Sequence, residues 1–102
     1  MTPSQVPPHF VRQMGCTPDD LLRWLPRALP GADVTVQPAE NVCLARWDWG
    51  TLTMRWTVRP PRQIALLNIP TMDVAFEYAG ATDEQRFQIQ RRFDLETQRG
   101  GG

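Results

Sequence analysis

Residues 33–78 read DVTVQPAENVCLARWDWGTLTMRWTVRPPRQIALLNIPTMDVAFEY, and the alternation in this stretch decides the fold class. Side chains of a strand point to opposite faces in turn, so apolar residues spaced two apart mark a strand buried on one side. Four turn signals divide the stretch: Pro38-Ala39-Glu40-Asn41, Trp49-Gly50, Pro60-Pro61 and Pro70-Thr71. If each turn joins neighbouring antiparallel strands, three rows are predicted on one face: Val36, Cys43, Trp56, Ala65 and Phe76; Val34, Ala45, Met54, Leu67 and Val74; and Trp47, Leu52, Ile69 and Met72. Every member is apolar. A one-residue slip would invert a strand's faces, so agreement among the four turns specifies a single core face.

The opposite face reads Thr35, Leu44, Arg55, Leu66 and Ala75; Val42, Thr57, Ile64 and Glu77; and Arg46, Thr53, Asn68 and Asp73. Val42, Leu44, Ile64 and Leu66 form an apolar strip beside Arg46 and Arg55, too apolar for a freely solvated face. Two coverings are open. Residues 9–14, HFVRQM, form a short strand that crosses this face or adds to a sheet edge, or the face meets a partner.

Helices flank the strands. Thr17-Pro18-Asp19-Asp20 supplies an N-cap, a proline at the first helical position and acids at the positive end of the dipole. Pro26 predicts that the regular helix reaches about Leu25, followed by a kink or a short second turn that ends at Pro30-Gly31. Thr82 with Gln85 three residues on is a capping box, and the second helix carries Ile89 and Phe93 on its inner side. The fold class is therefore α+β: an antiparallel meander of about five strands with two helices, about 18–29 and 82–96, packed on one face. The expected organisation is an extended tail over 1–8, one domain over 9–97 and a flexible glycine-rich end over 98–102. The element order resembles the layout of frataxin-like and TATA-binding-protein-like folds, a likeness of topology that carries no function.

Composition removes several function classes. All eleven basic residues are arginine, and the only serine and histidine are Ser4 and His9. Without lysine there is no Walker-type phosphate loop and no Schiff-base amine. One histidine and two distant cysteines do not compose a zinc site, and no paired carboxylates suggest acid/base catalysis. No catalytic residue, metal or cofactor is therefore expected. Arginine in place of lysine, with abundant Ala, Pro and Gly, is the mark of a GC-rich bacterial genome. Cys16 and Cys43, without Cys-x-x-Cys spacing or a leader, predict a reduced cytoplasmic protein, and no apolar run is long enough to span a membrane.

The reading is a non-catalytic protein that associates with another protein or with itself as a homodimer. Its candidate contacts are Val42, Leu44, Arg46, Arg55, Ile64 and Leu66, with Trp49 in the turn before Gly50. One alternative is a small-molecule pocket between sheet and helices near Trp24, Trp56 and Tyr78. Another is nucleic-acid binding through Arg86, Arg91, Arg92 and Arg99. The zero net charge and the interspersed Glu84, Asp94 and Glu96 weigh against it.

Overall fold

Five antiparallel strands in the order β1-β5-β4-β3-β2 form one sheet, and both helices pack on the same side of it. The computed structural model describes residues 6–99, Arg99 by its backbone alone. In chain order the elements are β1 (His9–Met14), α1 (Pro18–Ala28), β2 (Asp33–Gln37), a 3-10 turn (Pro38–Glu40), β3 (Val42–Trp47), β4 (Gly50–Ile64), β5 (Leu67–Ala79) and α2 (Asp83–Arg99).

Both helices begin where their local chemistry demands. The Thr17 hydroxyl accepts from the Asp20 N–H at 3.1 Å, and the Asp20 carboxylate accepts from the Thr17 N–H at 3.2 Å. Gln85 and Thr82 repeat the exchange at 2.8 and 3.1 Å. Each box satisfies donors that a helix start leaves without partners. Pro26 does not end the helix: α1 runs through it to Ala28. Pro26 lies in the last turn, where one lost bond is a small cost, and the Leu29 N–H still reaches the Leu25 carbonyl at 2.8 Å.

Leu21, Leu25, Ala28 and Leu29 of α1 and Phe93 of α2 meet Cys43, Ala45, Leu52, Met54, Trp56, Met72, Val74, Phe76 and Tyr78 of the sheet in one core. Phe93 stands edge-on to Phe76 at 5.3 Å, and Phe10 of β1 stacks on the same ring at 4.8 Å. The faces expected for residues 33–58 and 72–78 are the observed ones.

The pairing differs from the expected register in three places. First, β3 and β4 join through a two-residue turn, Asp48-Trp49, so Met54 rather than Trp56 faces Cys43. A slip of two keeps every side chain on its face. Gly50 is not a turn residue; a Cβ there would lie 2.3 Å from the Ala79 carbonyl oxygen, so the glycine permits a close crossing of β4 and β5. Second, Pro60-Pro61 is no turn. β4 continues through it with a register irregularity between Arg59 and Arg62, and reverses at Ala65-Leu66, between the paired Ile64 and Leu67. Pro70-Thr71 likewise lies inside β5. Proline's fixed φ suits extended backbone, and its missing donor costs little where the ladder is interrupted or the edge is open. Trp56 therefore faces Val74, not Ala65. Third, the fifth strand is β1. Residues 9–14 add to the β5 edge, and the alternative in which they cover the outer face is excluded.

The tail expected over 1–8 falls largely outside the described residues. Within them the chain already joins the domain at Val6 and Pro8, whose carbonyls accept from Arg86 Nε and the Tyr78 N–H, each at 2.7 Å. Gly100, Gly101 and Gly102 lie outside the described residues.

Candidate interaction surface

The face of the sheet turned away from the helices carries, row by row across the strands, Asp33, Arg46, Thr51 and Ala79; Thr35, Leu44, Thr53, Glu77 and His9; Gln37, Val42, Arg55, Ala75 and Val11; and Thr57, Asp73 and Gln13. No element of the described chain crosses it. Strands two residues apart in register put side chains of one row within reach of the next, so the surface is a mosaic of arginine, acid, hydroxyl and short aliphatic groups. Val11 is 66% exposed although aliphatic. A shallow depression of about 550 Å³ opens on this face, lined by Thr35, Val42, Leu44, Arg46, Thr53 and Arg55 among others. Among the described residues, Arg46 and Arg55 make no ion pair and no side-chain hydrogen bond, and Glu77 has no ion pair. Asp73 is held by Arg59 at 2.8 Å.

The face continues into an arm. β1 pairs with β5 only as far as Met72, and β3 begins opposite Arg55, so the outer half of the β4-β5 hairpin has no sheet neighbours. Every residue from 59 to 70 is exposed except the partly covered Ile69, and Leu66 at the tip is 100% exposed. Pro60, Pro61 and Pro70 remove backbone donors from the arm, which blunts strand addition along its edges. What remains to bind is the aliphatic tip, Ile64, Ala65, Leu66 and Leu67, with Val58 at the base.

The structure thus divides the residues singled out from sequence. Val42, Leu44, Arg46 and Arg55 share the open face and line one depression. Ile64 and Leu66 are displaced from that face to the arm tip, because the strand expected over residues 62–69 is half of a hairpin. Trp49 sits at the opposite end of β4, stacked on Trp47 at 4.9 Å, with the Trp47 indole donating to the Pro30 carbonyl at 3.3 Å. Leu67, expected in a core row with Ala65 and Ile69 in the rows beside it, is instead 64% exposed at the tip, because that segment is half of the hairpin. Val58 and Val11 also belong to the exposed surface and carry no sequence signal of their own. The run Ile64-Ala65-Leu66-Leu67 lacks alternation, which fits a buried segment as well as a projecting tip.

The residues of the two alternatives are occupied differently. Trp56 and Tyr78 are buried in the packed core, with Trp24 partly buried beside it. The Tyr78 hydroxyl donates to Gln90 Oε1 at 2.9 Å, Gln90 Nε2 donates to Asp94 at 3.1 Å, and Asp94 pairs with Arg12 over the Phe10 and Phe76 rings. Burial pushes the Tyr78 hydroxyl well above the ordinary tyrosine range, with the Asp94 charge adding to it. This is a satisfied structural network. Arg86 donates to the Val6 and Ala81 carbonyls and pairs with Asp83, and Arg92 donates to the Arg27 carbonyl at 3.1 Å and lies near Glu96. Arg91 is exposed, and the side chain of Arg99 lies outside the described residues. No group of three or more His, Cys, Asp or Glu residues able to hold a metal ion occurs among the described residues.

No described helix is long and apolar enough to cross a membrane. The chain matches no protein-family model and no curated protein.

Proposed function

We propose that this chain is a non-catalytic cytoplasmic protein that works by association, with the open sheet face and the arm that extends it as one contact surface. The observation that carries the reading is the combination on one uncovered face of two arginines without partners among the described residues, the exposed Val11 beside the half-buried Leu44, and a proline-blunted arm ending in exposed aliphatic residues. A sheet face of this composition gains from being covered, at about 25 cal/mol for each Å² of apolar surface removed from water. Its charged groups would orient the partner, as interface charges commonly do. The alternatives have less support. The pocket residues are spent on the core, and Arg86 and Arg92 of α2 are spent on intramolecular bonds.

A photo-cross-linking amino acid at position 57, on the outer face, is compared with one at position 88, on the exposed side of α2. Adducts in cells are expected from position 57 and not from position 88. Adducts from position 88 alone would overturn the reading.

A further inference from the structure

We infer that the occupant of the open face is a second copy of this chain, related to the first by a two-fold axis that runs along the strands between β4 and β5. The inference rests on the association reading above and names its partner. It comes from the levels at which the ladder holds the charges. Arg46 is level with Thr51, Glu77 with Thr53, Arg55 with Ala75, and Asp73 with Thr57. Along the strand direction the Arg55 level therefore lies between the levels of Glu77 and Asp73, each about 7 Å away, two residues of strand rise, and the Arg46 level beyond Glu77 carries Asp33 as well. The arginines stand on β3 and β4; Asp73 and Glu77 stand on β5, while Asp33 stands beside Arg46 on β2 and Glu40 borders the depression at the edge of the face.

A closed dimer needs a surface complementary to itself. Rotation about an axis parallel to the strands keeps every level and exchanges the two sides of the sheet. With the axis between β4 and β5, Arg55 falls over the partner's Ala75, between the partner's Asp73 and the partner's Glu77. The same rotation sets the Val42 level over the partner's Val11; Val42 is only 9% exposed in its own chain, so the contact serves to cover the exposed valine. Facing sheets stand about 10 Å apart, a gap that an arginine and a glutamate reaching toward each other can bridge. Rotation about an axis across the strands would instead lay the arginine-bearing β3 and β4 over themselves, and like charges in register reject that arrangement. The charge pattern thus selects one of the two ways of pairing the faces.

The arm belongs to the same arrangement, because β4 and β5 straddle the axis. Both arms project from the same end and lie against each other, tip beside tip. The four strands that overlap, β1, β5, β4 and β3, about 4.8 Å apart and six residues of about 3.4 Å long, give a footprint of about 400 Å² per copy, to which the arm adds about 200 Å². The total of about 600 Å² per partner reaches the lower end of the standard range of about 600–1,000 Å², and the sheet face alone falls short of it.

The test is a charge exchange read by sedimentation equilibrium. The unmodified chain is expected to be a dimer. Arg55→Glu and Glu77→Arg, both at exposed positions, each place like charges at both symmetry-related contacts and are expected to weaken the dimer at least about tenfold. Mixing the two variants pairs glutamate with arginine at both contacts between positions 55 and 77 of the two chains and restores no opposite-charge pair between these positions within either chain; Asp73, already held by Arg59, is the same in every combination. The mixture is expected to form a one-to-one complex within about threefold of the original affinity, which also shows that both variants are folded. A mixture no tighter than the separate variants, or single variants as dimeric as the original, would overturn the arrangement. A chain that stays monomeric but is cross-linked at position 57 to a different protein overturns the second-copy inference and leaves the association reading standing. Cross-links confined to position 88 remove both.

Discussion

Leu67→Ala separates the hairpin arm from the register that the sequence suggests, by a margin large enough to measure. In the expected register Leu67 stands in a core row with Val34, Ala45, Met54 and Val74, where a leucine truncated to alanine costs about 2–5 kcal/mol. In the structure Leu67 faces Ile64 beside the hairpin turn and is 64% exposed. Only about a third of its surface is covered. Since full burial of a leucine is worth about 1.5–3 kcal/mol, the truncation should cost under about 1 kcal/mol. Leu52→Ala is the internal standard: Leu52 is 0% exposed and should lose the full about 2–5 kcal/mol. At about 4–8 °C per kcal/mol for a domain near this size, Leu52→Ala should lower the midpoint by more than about 10 °C and Leu67→Ala by only a few degrees. Thermal unfolding followed by circular dichroism reads both. The Arg55→Glu background is used so that self-association does not enter the midpoint. Equal losses at the two positions would return residues 62–69 to the core and remove the arm.

Two further predictions follow from single residues. Ala65 adopts φ 55, the left-handed region that costs a non-glycine residue about 1–2 kcal/mol. Ala65→Gly relieves that strain against an unfolded-state entropy cost of about 0.5–1 kcal/mol, so the midpoint should hold or rise by a few degrees; a marked fall would mean that the turn has another conformation. Cys16 and Cys43 are buried, and burial pushes both thiols up to about 11, with the Asp20 charge adding at Cys16 and a hydrogen bond from the Met54 backbone opposing at Cys43. The thiolate is the reactive form. Alkylation of the native protein at pH 8 should therefore be slow at both positions, rise with pH toward 11 and become rapid on unfolding. Fast labelling of native Cys16 at pH 8 would show that the helix start lowers its pKa instead.

What could be read in the sequence is what local chemistry determines. The capping boxes at Thr17 and Thr82 are complete within four residues, so the start of each helix is decided before any tertiary contact forms. The faces of residues 33–58 and 72–78 are equally local, because alternation has period two and a slip of two residues preserves it. Hence Val42, Leu44, Arg46 and Arg55 were assigned to the outer face although the partners expected for β3 were displaced. The tertiary structure decided the pairing, which is not a local quantity. β5 takes β1 as its neighbour from far along the chain, and that choice is what leaves the outer face open. The reversal at Ala65-Leu66 has no glycine, asparagine or proline to announce it. It is imposed by the strand pairs on either side, whose combined ladder outweighs the strain of one left-handed alanine, whereas Pro60-Pro61, a turn signal by composition, is accommodated as extended strand. The placement of Arg55 between the levels of Glu77 and Asp73 on the open face belongs to the same category: each charge's face is written in the chain, but the level at which it stands relative to the others exists only once the strands have paired.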